Sequence, residues 1–156
     1  MWLSDDKGIR VAVLGIDHGE KWIGVAISDS TGTIARPLTI LTHASRPADA
    51  RQVLDLAAAH QASVIVIGES TDEEGAPNLA GRRAGRFAET LKAMTAMMIV
   101  LWDESLSTRD AREWRIASGA SRKKRAARID AVAAAAMLQS YLDSRGRPQD
   151  RGETDT

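Results

Sequence analysis

The chain has 156 residues, 44% hydrophobic and 27% charged, with 21 Lys and Arg against 21 Asp and Glu. That is one domain's worth of an ordinary globular composition on a scale of roughly 100 to 200 residues per domain, and its zero net charge makes any case for nucleic acid rest on where the cations sit. The lack of cysteine excludes disulfides, thiol catalysis, iron–sulfur clusters and Cys-based zinc sites.

Met1 to Arg10 is too polar for a signal sequence. Arg10 to Asp17 is an apolar run, His18-Gly19-Glu20-Lys21 turns the chain, and Trp22 to Ser28 runs apolar again. Asp29 to Gly32 is a second turn. Thr33 to Leu41 is a third extended stretch, in which Pro37, unable to donate to a ladder, demands an edge strand or a bulge. These three read as antiparallel strands. Ser45 then caps a helix with Pro47 in its first turn, and Val53, Leu56, Ala57 and His60 share a face. Ser63 to Gly68 is bare of charge, as in a strand buried on both sides. A polar loop, Glu69 to Asn78, leads to a helix over Leu79 to Ala96 with Arg82, Arg83, Arg86 and Glu89 toward solvent.

Met97 to Trp102 is a fifth strand, ending in Asp103-Glu104. Ser107 and Asp110 resemble a capping box for a short helix, Thr108 to Ser118, stopped by Gly119. The basic stretch Ser121 to Arg128 leads into a last helix through Ser144, apolar nearly all round from Ile129 to Leu138 and therefore expected to be buried. Nothing after Gly146 is apolar, so residues 1–145 are expected to form the domain and 146–156 a disordered polar tail. The order β-β-β-α-β-α-β-α-α is that of the ribonuclease H-like architecture: an α/β fold with a mixed five-stranded sheet, a three-stranded antiparallel meander and flanking helices. Fold alone licenses little about function.

The acids at element ends carry the chemistry. Asp17 closes the first strand, Glu104 the fifth, and Asp130 lies in the first turn or two of the last helix. If the strands run to one edge and the helix packs across it, these carboxylates converge. Such a group is tolerable mainly around a hard cation, Mg²⁺ or Mn²⁺, and suits phosphodiester hydrolysis. Each acid also has a plainer explanation, as a turn former, a solvated strand end, or an acid favoured by a helix dipole. Arg122, Lys123, Lys124 and Arg125 could be a solvated loop, but their place before Asp130 suits phosphate contacts. Packing explains Trp22, Trp102 and Trp114 more readily than base stacking, and His18 reads as a turn residue. The three histidines, His18, His43 and His60, stand at no metal-ligand spacing.

Leu14-Gly15-Ile16-Asp17 followed by Gly19, Lys21, Ile23-Gly24-Val25-Ala26, Ser28 and Asp29 resembles the opening motif of the YqgF or RuvX family, Holliday-junction-resolvase-like proteins also described as pre-16S rRNA nucleases. Asp103-Glu104 with Leu106, Ser107, Thr108 and Ala111 resembles the family's second motif. Ile129-Asp130-Ala131-Val132-Ala133-Ala134 with Leu138-Gln139 and Tyr141-Leu142 resembles its third. The resemblance implies a metal-dependent nuclease, most of all one that trims the 5′ end of precursor 16S rRNA, with Asp17, Glu104 and Asp130 as metal ligands. It also implies Lys21 and the basic stretch as nucleic-acid contacts, a cytoplasmic address without a membrane partner, and allows a homodimer.

The chain departs from the family in having Gly68-Glu69-Ser70 where Gly-Leu-Pro is common, Ser105 where Arg is common, and Gly19-Glu20-Lys21-Trp22 where Gly-Thr-Lys-Arg is common. Related resolvases carry an acid at the fourth strand's end, so the resemblance allows Glu69 to project toward Asp17 and to replace or join Glu104, with Glu104 favoured as the principal ligand; the plainer reading is that Glu69 begins the polar loop running through Asp72, Glu73 and Glu74. Three other functions remain open: a branched-DNA resolvase, a catalytically idle RNA-binding module of ribosome assembly, and a sugar-kinase-like ATPase. The ATPase would need a second domain of this kind, which the length does not supply.

Overall fold

The computed structural model describes residues 11–103 and 122–146, with side chains described at 11–103 and 131–145. Strands β1 (Ala12–His18), β2 (Trp22–Ser28) and β3 (Ala35–Thr42) form the antiparallel meander. Helix α1 (Arg46–Ala59) leads to β4 (Ala62–Glu69), and α2 (Leu79–Met94) to β5 (Met98–Asp103). The sheet order is β3-β2-β1-β4-β5, and β4 is parallel to both β1 and β5. The carboxyl ends of β1, β4 and β5 therefore share one edge, bearing Asp17, Glu69 and Asp103. Pro37 lies opposite Ala26, where the register of the edge strand β3 shifts, so its missing N–H is accommodated both ways that the sequence allows.

Helices cover both faces. Ser45 caps α1 by accepting a hydrogen bond from the Ala48 amide at 3.2 Å, and Asn78 caps α2 by accepting one from Gly81 at 2.9 Å. On the face covered by α1 and α2, Leu14, Ile16, Ile23, Val25, Ile65 and Ile67 pack against Val53, Ala57, Phe87 and Leu91. The last helix, α3 (Arg122–Gly146), covers the other face, where Val13, Ala26, Val64 and Val66 meet Ala134, Met137, Leu138, Tyr141 and Leu142. Since strand side chains alternate, these two clusters assign every position of the inner strands to a face.

Four expectations change. The basic residues 122–125 are not a loop before α3 but its first turn. Asp130 consequently lies in the third turn, beyond the reach of the dipole, which fades within the first. The middle of α3 is buried along one stripe only, with Val132, Ala133, Ala135 and Ala136 partly exposed, because alanine serves helix propensity as well as burial. Arg83 is not on the solvent side with Arg82 and Arg86: it is partly buried and its Nε is sealed from water. Met1 to Arg10, the helix expected over Thr108 to Ser118, and the tail beyond Gly146 lie outside the described residues. Among the described residues, no helix is long and apolar enough to cross a membrane.

Candidate active site

Asp17 occupies the last turn of the alternation along the central strand. Leu14 and Ile16 face α1 and α2, so Asp17, with Val13, faces α3. The neighbouring strand positions on that face are glycines. Gly15 precedes it by two residues, Gly24 is its partner across β2, and Gly68 follows Ile67, the β4 partner of Ile16. At Gly15 a Cβ would lie 2.9 Å from the Leu138 Cβ, so the glycine lets α3 approach β1 closely. Gly24 and Gly68 leave bare backbone beside the Asp17 carboxylate. An oxygen donor bordered by bare backbone fits a hard divalent cation with its waters.

The other acids separate by strand parity. Ile65 and Ile67 face α1 and α2, which places Glu69 on that same face. Glu69 is paired in register with Asp103, while Trp102 turns toward α3. Glu69 was expected to project toward Asp17; the alternation instead puts the two residues on opposite faces. Asp103 accepts a 3.4 Å hydrogen bond from Thr71 Oγ1. Glu104 and Trp114 lie outside the described residues. Asp130 heads the i, i+4 row of α3 that continues through Ala134, Leu138 and Leu142, all three buried against the sheet. Arg122, Lys123, Lys124 and Arg125 lie on the same helix, and Lys21 is exposed in the β1–β2 turn. Trp102 packs: its indole donates to Ser140 Oγ at 3.2 Å and stands edge-on to Tyr141 at 5.4 Å.

A second group of titratable residues, absent from the sequence reading, lies on the opposite face. His18, His43 and Asp49 bring their donor atoms within 4.8 Å of one another. The set resembles a metal site, yet His43 and Asp49 already engage each other and nearby backbone. His43 Nδ1 lies 2.7 Å from Asp49 Oδ2 and its Nε2 lies 2.8 Å from the Gly19 carbonyl, while Asp49 Oδ1 accepts from the Ala44 amide at 2.9 Å. Burial alone would lower the His43 pKa, but the bonds to Asp49 and Gly19 and the Asp49 charge outweigh it and hold the pKa above its ordinary value. His18 packs between His43 and Phe87, each ring centroid 4.7 Å away. Burial first, and then the His43 charge, lower its pKa to about 4, so its ring is neutral. Among the described residues, His18 Nδ1 and Arg83 Nε are buried without a hydrogen-bond partner. One sequence signal marked this group. Asp49 shares a helical stripe with Val53 and Ala57, and an acid on a buried stripe requires a partner.

Comparison with known proteins identifies the family and the fold. Residues 11–144 match the family model described as RuvX, Holliday junction resolvase. A protein of Thermoanaerobacter pseudethanolicus named "Putative pre-16S rRNA nuclease" is 38% identical over 133 residues, covering 85% of this chain and 96% of its own. One of the same name from Halalkalibacterium halodurans is 39% identical over 132 residues, covering 83% and 94%. Among solved structures, Thermus thermophilus RuvC in complex with a Holliday junction substrate is similar with a TM-score of 0.55 at 15% identity, covering 86% of this chain and 95% of that one. The fowlpox virus resolvase, solved with Holliday junction DNA, has a TM-score of 0.54 at 13% identity, covering 86% and 98%. At these identities the structural likeness concerns the fold, which is that of ribonuclease H-like nucleases.

Proposed function

The chain belongs to the RuvX family of nucleases, and from that premise we propose that it cuts structured RNA, trimming the 5′ end of precursor 16S rRNA in the cytoplasm with Mg²⁺ or Mn²⁺ held by Asp17, Glu104 and Asp130. The observation that carries this reading is the position of Asp17, at the carboxyl end of the central strand, on the face covered by α3 and beside the bare backbone of Gly24 and Gly68. The alternation that sets Glu69 on the face opposite Asp17, together with the match of Asp103-Glu104 to the family's second motif, favours Glu104 over Glu69 as the partner of Asp17. Asp130 comes to this face on α3 itself. Asp17, Glu104 and Asp130 would hold the divalent cation, which would supply an activated water and stabilise the departing oxygen.

The remaining work belongs to the protein. The carboxylates hold the site's charge in balance, since three of them together repel one another without a cation. Lys21, exposed in the turn that follows Asp17, and Arg122, Lys123, Lys124 and Arg125 at the start of α3 neutralise phosphates on either side of the scissile bond, fixing its orientation without reading bases. The homodimer reading would use the open edge of β5, where Met98 and Leu101 are exposed, and sedimentation tests it.

Purified protein should be incubated with a precursor 16S rRNA fragment and with a four-way DNA junction, in Mg²⁺, in Mn²⁺ and in EDTA. Metal-dependent cutting of the RNA supports the proposal. Cutting confined to the junction would make the protein a resolvase, and binding without cutting in either metal would make it an idle RNA-binding module.

A further inference from the structure

We propose that His43 is a positioning residue for this site: an imidazolium, ion-paired with the buried carboxylate of Asp49, that holds the Gly19 carbonyl and with it the turn that follows Asp17. The inference rests on the reading of Asp17 as a metal ligand.

The protonation state follows from the partners. A backbone carbonyl can only accept, so His43 Nε2, 2.8 Å from the Gly19 oxygen, carries a hydrogen. Nδ1 lies 2.7 Å from Asp49 Oδ2, and the other oxygen of that carboxylate already accepts from the Ala44 amide. Asp49 is 2% exposed, and a carboxylate so buried is costly unless it is paired. A ring donating from both nitrogens carries a positive charge. A neutral imidazole could serve only one of its two acceptors.

The same residue grips the turn a second time, because its own amide donates to the Lys21 carbonyl at 3.3 Å. The Gly19 amide in turn donates to the Trp22 carbonyl at 2.9 Å, closing the turn on itself. The turn is thus fastened at Gly19 and Lys21 to one residue, and through Asp49 to the first turn of α1. His18, edge-on to His43 on this face, is the next residue after Asp17 on the other. A shift of the turn is therefore a shift of Asp17. Displacements of about 1 Å at a reacting centre can cost roughly a hundredfold in rate.

The test has two arms. Nitrogen-15 NMR of the histidines in the metal-free parent protein at pH 7 should find both His43 ring nitrogens protonated, with His18 neutral. A neutral His43 ring overturns the proposal. In the second arm, His43→Gly should cut the precursor 16S rRNA fragment about tenfold more slowly in saturating Mg²⁺, with an unchanged KM for RNA, and added imidazole should restore the rate. An unchanged kcat, or a folded variant that imidazole does not restore, overturns it. If His43→Gly does not fold, His43→Gln, whose amide keeps one donor, replaces it, and an unchanged kcat there is equally fatal. An Asp17→Asn variant run alongside separates the two readings. Activity retained in Asp17→Asn defeats the nuclease site while leaving the ring protonation standing, whereas inactivity there with full activity in the His43 variant defeats the positioning role alone.

Discussion

Asp17 and His18 are neighbours in the chain and lie on opposite faces of the same strand end, and their surroundings differ accordingly. On the α3 face, Asp17 is bordered by Gly15, Gly24 and Gly68, which offer backbone and space. On the other face, His18 is packed between His43 and Phe87, and the burial of its ring, with the His43 charge beside it, lowers its pKa to about 4. One side thus presents glycine backbone beside the carboxylate, and the other is filled with rings and an ion pair. The difference teaches that a one-residue step along a strand separates the group proposed to do chemistry from the groups that hold it in place.

The most direct way to break this contrast is Asp17→Asn, which should abolish cleavage while leaving the fold intact. It exchanges a carboxylate for an amide of the same shape rather than removing a packing group, and relief of carboxylate repulsion should leave the metal-free melting temperature equal or higher. Parental activity would remove Asp17 from the site. The next largest effect separates the two faces at the neighbouring strands. Glu104→Gln should lose most metal-dependent cleavage and Glu69→Gln should stay within a few-fold of the parent, since a direct metal ligand matters more than a group on the far side of the sheet. The reverse ranking in the same assay would mean that the strand alternation misassigns the second acid.

Smaller effects concern stability. Gly15→Ala places a methyl group 2.9 Å from the Leu138 Cβ, and such overpacking costs about 1–3 kcal/mol; urea unfolding should show the loss. The smallest effect is pH-dependent and opposes the two histidines. The His43 pKa is raised in the folded protein, so its stabilisation is complete below about 6.5, the unfolded value, and is lost as pH rises through the folded one. His18, lowered to about 4, acts in the other direction: as pH falls from about 6.5 toward that value, the unfolded chain takes up a proton that the folded chain refuses, and stability drops. Thermal melts of the metal-free protein should therefore decline on both sides of neutrality. Asp49→Asn should remove the alkaline decline.

Much of this was legible in the order of residues. Apolar runs bounded by turn residues marked the strands, Ser45 and Pro47 the start of α1, Pro37 an edge or a bulge, and the turn His18-Gly19-Glu20-Lys21 the end of the central strand. These are local matters, decided by backbone sterics, capping and alternation within a few residues. The acids at element ends, together with the three motifs, pointed to a nuclease before any coordinates. The histidine cluster was not legible in the same way: His18, His43 and Asp49 come from a strand end, the segment after β3 and a helix, and nothing local brings them together.

The sequence by itself determined the kind and order of the elements, because helix and strand differ in the period of their apolar positions and each period can be counted along the chain. Only the tertiary structure decided which acids share a face. Glu69 ends a strand next to that of Asp17 and was expected beside it, but the parallel register pairs Ile16 with Ile67, which sets Glu69 in step with His18 rather than with Asp17. Register is a relation between strands, set by how the two hydrophobic faces are buried together. A shift of one residue exchanges those faces, and no count along one strand reveals it.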